Sequence, residues 1–240
     1  CKQVSHGEVQ RWGTAALGAL VIADPLFAER AEAGGATCVL WALGADALRR
    51  VPMLEQETFF CAHALVKNNR VDLAANGVQL AGLASGAIQR CLRDYGGGAE
   101  AITWGLRLLE AMAIYKGGAR LIEPYIGTIV DAMLAPGSHF EAATAGSGVV
   151  SHLAASSPSA KERLREHKTL LIRCLQDHAT VEAAVQTGRA RAQEMRDWVQ
   201  ILIDVLGDPR PGIDLDPEEE VKLDAGEEEL AELEEPDSDA

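Results

Sequence analysis

Residues 99–115, AEAITWGLRLLEAMAIY, carry apolar side chains at helical spacing, and two segments of different character follow them. Gly118–Tyr125, GARLIEPY, is short and mixed, whereas Ile126–Leu134, IGTIVDAML, is strongly apolar. Apolar residues returning every three or four positions, punctuated by Gly, Pro and Asn, predict helices, and sustained period-two alternation is missing. The triplet recurs along the chain. Segments of the first kind read Val9–Ala23, Glu55–Asn68, Ala99–Tyr115 and Glu141–Ala155, with apolar anchors Leu20, Leu65, Met112 and Leu153 at intervals of 45, 47 and 41 residues. The short kind reads Ala28–Gly35, Arg70–Gly77, Gly118–Tyr125 and Lys161–Lys168. The apolar kind reads Ala36–Leu43, Val78–Leu92, Ile126–Leu134 and Thr169–Leu175. Arg90-Cys91-Leu92-Arg93-Asp94 and Arg173-Cys174-Leu175-Gln176-Asp177 share a local identity, which supports duplication.

Three helices returning every ~40–47 residues resemble the armadillo/HEAT helical-repeat superfamily, over roughly residues 9–176. The resemblance implies an all-α, right-handed solenoid of about four repeats, in which stacked units bury one continuous core. An aromatic content of only 5% suits close stacking of Ala and Leu. It also implies a concave groove lined by helices of the first kind. Many peptide-binding members carry a Trp there with an Asn four positions later, an amide that both donates and accepts. The corresponding residues here are Gly18, His63, Glu110 and Ser151, and then Ile22, Lys67, Ile114 and Ala155. The missing Trp–Asn ladder argues against an importin-α-like receptor for basic peptides. It leaves His63, Lys67, Glu110 and Ser151 as candidates for the groove's polar lining, the alternative for each being an ordinary helix-surface residue.

From Thr180 to Leu206, Val181, Val185, Gly188, Ala192, Met195, Val199, Leu202 and Leu206 follow a 4-3-4 spacing. That spacing predicts one long helix, 180–206, laid as a cap over the last repeat; a dimerising coiled coil is the alternative. Gly207-Asp208-Pro209-Arg210-Pro211-Gly212 ends it and divides the chain into a helical domain, 1–207, and an acidic tail, 208–240. The net charge of -14 sits almost wholly in that tail, which holds 15 acidic and 2 basic residues against 21 and 20 in the body. A segment so charged and so poor in apolar residues is expected to be disordered. Leu230 and Leu233 could anchor a short helix on a partner, and a tail folded back on the body is a further reading. With no basic excess in the body, nucleic acid is a poor partner. No apolar run approaches the ~18 residues of a membrane span.

The cysteines, Cys1, Cys38, Cys61, Cys91 and Cys174, are odd in number and lie far apart. They read as reduced thiols in a cytoplasmic or nuclear protein. Cys61 and His63, two apart on a helix, point away from each other, and no His spacing suits a metal. Gly96-Gly97-Gly98 lacks the Lys-Ser/Thr of a phosphate loop, and Gly146-Ser147-Gly148 is no nucleophile elbow. The expectation is therefore no enzyme, no metal and no cofactor. It is instead a protein-binding scaffold or adaptor using the concave face, its acidic tail tuning a partner with a basic segment. The alternative is a structural piece of a longer armadillo/HEAT protein with no ligand of its own, since the chain begins at Cys1 without an initiator Met.

Overall fold

Caps and glycines decide where the helices start and stop. The computed structural model describes residues 7–24, 54–68, 71–93, 99–135, 139–185 and 188–207. Within them lie α1 (Gly7–Ala23), α2 (Leu54–Lys67), α3 (Leu73–Arg93), α4 (Ala99–Ile114), α5 (Gly118–Ile122) and α6 (Ile126–Leu134). After these come α7 (Phe140–Ser156), α8 (Pro158–Arg165), α9 (Lys168–Ala183) and α10 (Arg189–Leu206), and a 3-10 turn, Glu123–Tyr125, joins α5 to α6. Among the described residues the protein is all-helical, and no helix is long and apolar enough to cross a membrane. The expected segments Ala28–Gly35 and Ala36–Leu43 and the tail 208–240 lie outside the described residues.

Asp72 starts α3 by accepting from the Ala74 and Ala75 amides, at 2.9 and 3.2 Å, which satisfies donors that a helix start leaves open. Ser157 does the same for α8 at Ala160, with Pro158 in the first turn. Between α4 and α5 the chain turns at Gly117, whose φ of +85° is left-handed. A Cβ on the next residue, Gly118, would lie 1.9 Å from the Met112 carbonyl oxygen. The separate segments expected at Arg70–Gly77 and Val78–Leu92 run together from Leu73 onward as one helix, α3. Gly77 is no breaker there: its missing side chain leaves the space that Leu121 of α5 fills.

The helices pack in two rows. In one, α1 packs on α2, α2 on α4, α4 on α7 and α7 on α10; in the other, α3 packs on α6 and α6 on α9. The rows join where α3 meets α4, α6 meets α7 and α9 meets α10. Leu65, Met112 and Leu153 are fully buried, as anchors should be, but Leu20 is 46% exposed and Val21 takes the buried place. Small residues let the rows approach: Gly105 faces Ile88 across α3 and α4, and Gly146 faces Met133 across α6 and α7. Polar ties run within each row. Tyr115 Oη donates to the Val66 carbonyl at 2.6 Å, and Ser85 and Gln89 both donate to Thr128 Oγ1.

The single helix expected over 180–206 is two helices. α9 ends at Ala183 and α10 starts at Arg189, with Gly188 as its N-cap. Gly188 abuts the backbone of Glu182, where an added Cβ would lie 1.9 Å from the carbonyl oxygen. The chain can fold so tightly there only because that residue is Gly. α10 then packs against α9, α7 and α8, and its last carbonyls are held by Arg165 (Nε to Leu206 O, 2.6 Å) and Lys168 (Nζ to Gly207 O, 2.5 Å). Cations at this end also suit the helix dipole.

Candidate protein-binding face

α2, α4 and α7 stand side by side with neighbours on both flanks, so each keeps only a narrow strip for solvent. On α2 the strip is Gln56, Phe60, His63 and Lys67, at a 4-3-4 spacing that returns to one side of a helix. On α4 it is Glu100, Trp104, Arg107, Glu110 and Ile114, and on α7 it is Thr144, Ser151 and Ala155, with the buried Gly148 between them. The strips meet through side chains. Trp104 leans toward α2, edge-on to Phe60 (ring centroids 4.8 Å apart, 77° between planes) and tilted against His63 at 5.6 Å. Arg107 stacks on the Trp104 ring at 4.7 Å, a cation–π contact. Glu110 leans the other way, over the backbone of Gly148, where an added Cβ would come within 2.1 Å of Oε1.

Burial sets the electrostatics of the strip. It pushes His63 down from its ordinary 6.5 to about 4, with the charges of Lys67 and Arg107 acting in the same direction. His63 is therefore neutral near pH 7, and its buried Nδ1 has no hydrogen-bond partner. Burial raises Glu110, and it outweighs the downward pull of Arg107 and Lys67. Lys67, Arg107 and Glu110 form no ion pair or hydrogen bond among the described residues. Elsewhere opposite charges do close up: Arg90 on Glu55 at 2.7 Å, Arg165 on Glu162 at 3.0 Å, Arg191 on Glu141 at 3.3 Å.

Of the four residues singled out from the sequence, His63, Lys67 and Glu110 come close enough for Lys67 to act on both others. Ser151 lies half-buried on the neighbouring helix, one turn beyond Gly148. Gly18 is not part of a groove: it is buried beneath Phe60 and Cys61. Trp104 and Arg107 were not anticipated. The signal for them was the run Glu100, Trp104, Arg107, Glu110 and Ile114 at three- and four-residue spacing, whereas alignment on anchors picks one or two positions per helix.

Compared with family models, with curated proteins and with solved structures, the chain matches none. The chemistry available to the face is thus read from its own groups. Lys67 and Arg107 donate, Glu110 accepts, and Phe60, His63 and Trp104 offer an aromatic shelf between them. Cys61, two residues before His63, faces the core, and burial pushes its thiol up to about 12. A thiol held there is protonated at neutral pH and is a poor nucleophile.

Proposed function

We propose that the chain is a non-catalytic scaffold or adaptor whose helices form an armadillo/HEAT-like array. It binds another protein on the face built by α2, α4 and α7. Two features support the array: α1, α2, α4, α7 and α10 begin at residues 7, 54, 99, 140 and 189, at similar intervals, and each packs on the next. The observation that carries the binding reading is the unpaired charge on the shared face. A carboxylate whose ionisation burial opposes, left without a partner beside two cations, costs stability in the free protein. Features that cost stability without structural return concentrate at binding sites. Donors and an acceptor at close quarters, flanked by aromatic rings, suit a partner that brings both kinds of polar group and an apolar side chain.

The tail contributes at longer range. Fifteen carboxylates in 208–240 attract a basic segment of the partner, over a screening distance of about 8 Å at physiological salt. The odd number and wide spacing of the cysteines support a cytoplasmic or nuclear setting for this activity. The test is a cross-linking pull-down from native lysate with the full chain and with Lys67→Glu/Arg107→Glu, each at low and high salt. A protein captured by the wild-type chain and lost from the double variant, with unchanged circular dichroism, is the expected result. Equal capture by both chains would remove the α2/α4/α7 face from the reading.

A further inference from the structure

The other row of helices carries a second surface, on α9. Leu170 and Val181 are 52% and 65% exposed, and with Cys174 and Asp177 they fall on one side of the helix; Val185, just past its end, is 49% exposed. Met133 and Leu134 of α6, with Ala135 just after it, line an open cleft of about 380 Å³ together with Leu170, Cys174 and Val181. Exposed apolar patches with a polar rim mark contact sites. Here the rim is Arg173 and Asp177, both exposed, with no ion pair or hydrogen bond among the described residues. One turn apart on one helix they could pair with each other, but a cation N-terminal to an anion is the weaker order for such a pair.

The arrangement of these residues is symmetric. Leu170 and Val181 lie equally far on either side of the Leu175–Gln176 bond, and Arg173 and Asp177 lie equally far on either side of Leu175. We propose that the stripe is a self-pairing surface, on which a second copy of the chain lays its own α9 antiparallel about a two-fold axis beside Leu175. Such pairing sets Leu170 against the partner's Val181 and Arg173 against the partner's Asp177, and each contact occurs twice, as an isologous interface requires. Both ion pairs flank the same side of the helix seam, because a two-fold axis normal to the plane of the two helices keeps side with side. A different protein would have to supply both charges and both apolar groups at this spacing, whereas a second copy supplies them by construction. One helix pair and the edge of α6 bury less than the ~800 Å² per partner of a standard interface, so the dimer is concentration-dependent. The surface shares no residue with the α2/α4/α7 face, and its failure would leave that proposal standing.

Sedimentation velocity of the full chain over a wide concentration range tests the pairing. The expected result is a mass that rises toward twice the monomer value. Arg173→Asp and Asp177→Arg each place like charges opposite one another, and each should weaken the dimer by about tenfold or more. Mixing the two single variants should restore association as a heterodimer, and the double exchange Arg173→Asp/Asp177→Arg should restore the homodimer. Circular dichroism on each variant checks that the helices persist. A chain that stays monomeric at every concentration overturns the proposal. So does a dimer indifferent to the single reversals, a loss that neither mixing nor the double exchange repairs, or an added mass that belongs to a different protein.

Discussion

Two residues on the α2/α4/α7 face pull stability in opposite directions as pH changes. His63 is depressed to about 4 in the folded chain from an ordinary 6.5, first by burial and then by Lys67 and Arg107. Between those values the unfolded chain takes up a proton that the folded chain refuses. The contribution is present above about pH 6.5 and is lost as pH falls toward about 4. Glu110 behaves in the opposite sense. Its folded carboxyl is raised above the ordinary 4.5 by burial, so its contribution is present below that value and is lost as pH rises. Glu110→Gln is therefore expected to raise the urea midpoint at pH 7 relative to the wild type, and to have little effect at pH 4. His63→Asn is expected to flatten the acid side of the midpoint-against-pH curve. A Glu110→Gln midpoint at pH 7 below that of the wild type would show that the carboxylate has a stabilising partner. That His63, Lys67 and Glu110 come near one another follows from the common register of the helices of the first kind. Trp104 and Arg107 were not legible in the sequence, because which flank a side chain leans to depends on the neighbouring helix. Trp104 leans toward Phe60, and Glu110 leans over Gly148.

Among the elements, the break between α9 and α10 shows what a periodic pattern leaves out. The 4-3-4 spacing from Val181 to Leu206 runs through Gly188 without a fault, so the sequence reads as one helix. In the structure the stripe divides at the break: Val181 and Val185 are exposed, whereas Ala192, Met195, Leu202 and Leu206 are buried. A repeat of spacing tells which side chains share a side of a helix, not whether the chain continues. Space at one glycine decides that here. Gly188→Ala would drive a Cβ against the Glu182 backbone, which cannot yield as a flexible side chain would. A loss of about 1–3 kcal/mol is expected in urea unfolding. Gly86 on α3 is the control. Its Cβ position meets only Arg90 Nη1, at an ordinary contact distance of 3.7 Å, so Gly86→Ala is expected to gain about 0.5–1 kcal/mol from helix propensity. Equal effects at the two sites would mean that backbone entropy, not room beside Glu182, explains Gly188.

At the scale of the whole molecule, the helices differ in how many neighbours they pack on. α4 packs on α2, α3, α5 and α7, and nearly its whole length is buried, from Ala101 to Ala113 apart from Trp104, Arg107 and Glu110. α1 packs on α2 and leaves Trp12, Leu20 and Ile22 in solvent. Among the described residues α1 packs on one helix and α4 on four, so α1 opens at lower free energy because its departure breaks fewer contacts. Native-state hydrogen exchange is therefore expected to protect the amides of α4 and α7 most and those of α1 least. Truncation should follow the same gradient. Met112→Ala, fully buried in α4, is expected to cost about 2–5 kcal/mol of global stability. Val21→Ala, equally buried in α1, should lower protection in α1 while the exchange of α7 stays close to that of the wild type. If Val21→Ala accelerates exchange in α1 and α7 alike, the helices unfold as one cooperative body, and additive stacking of neighbours does not describe this protein.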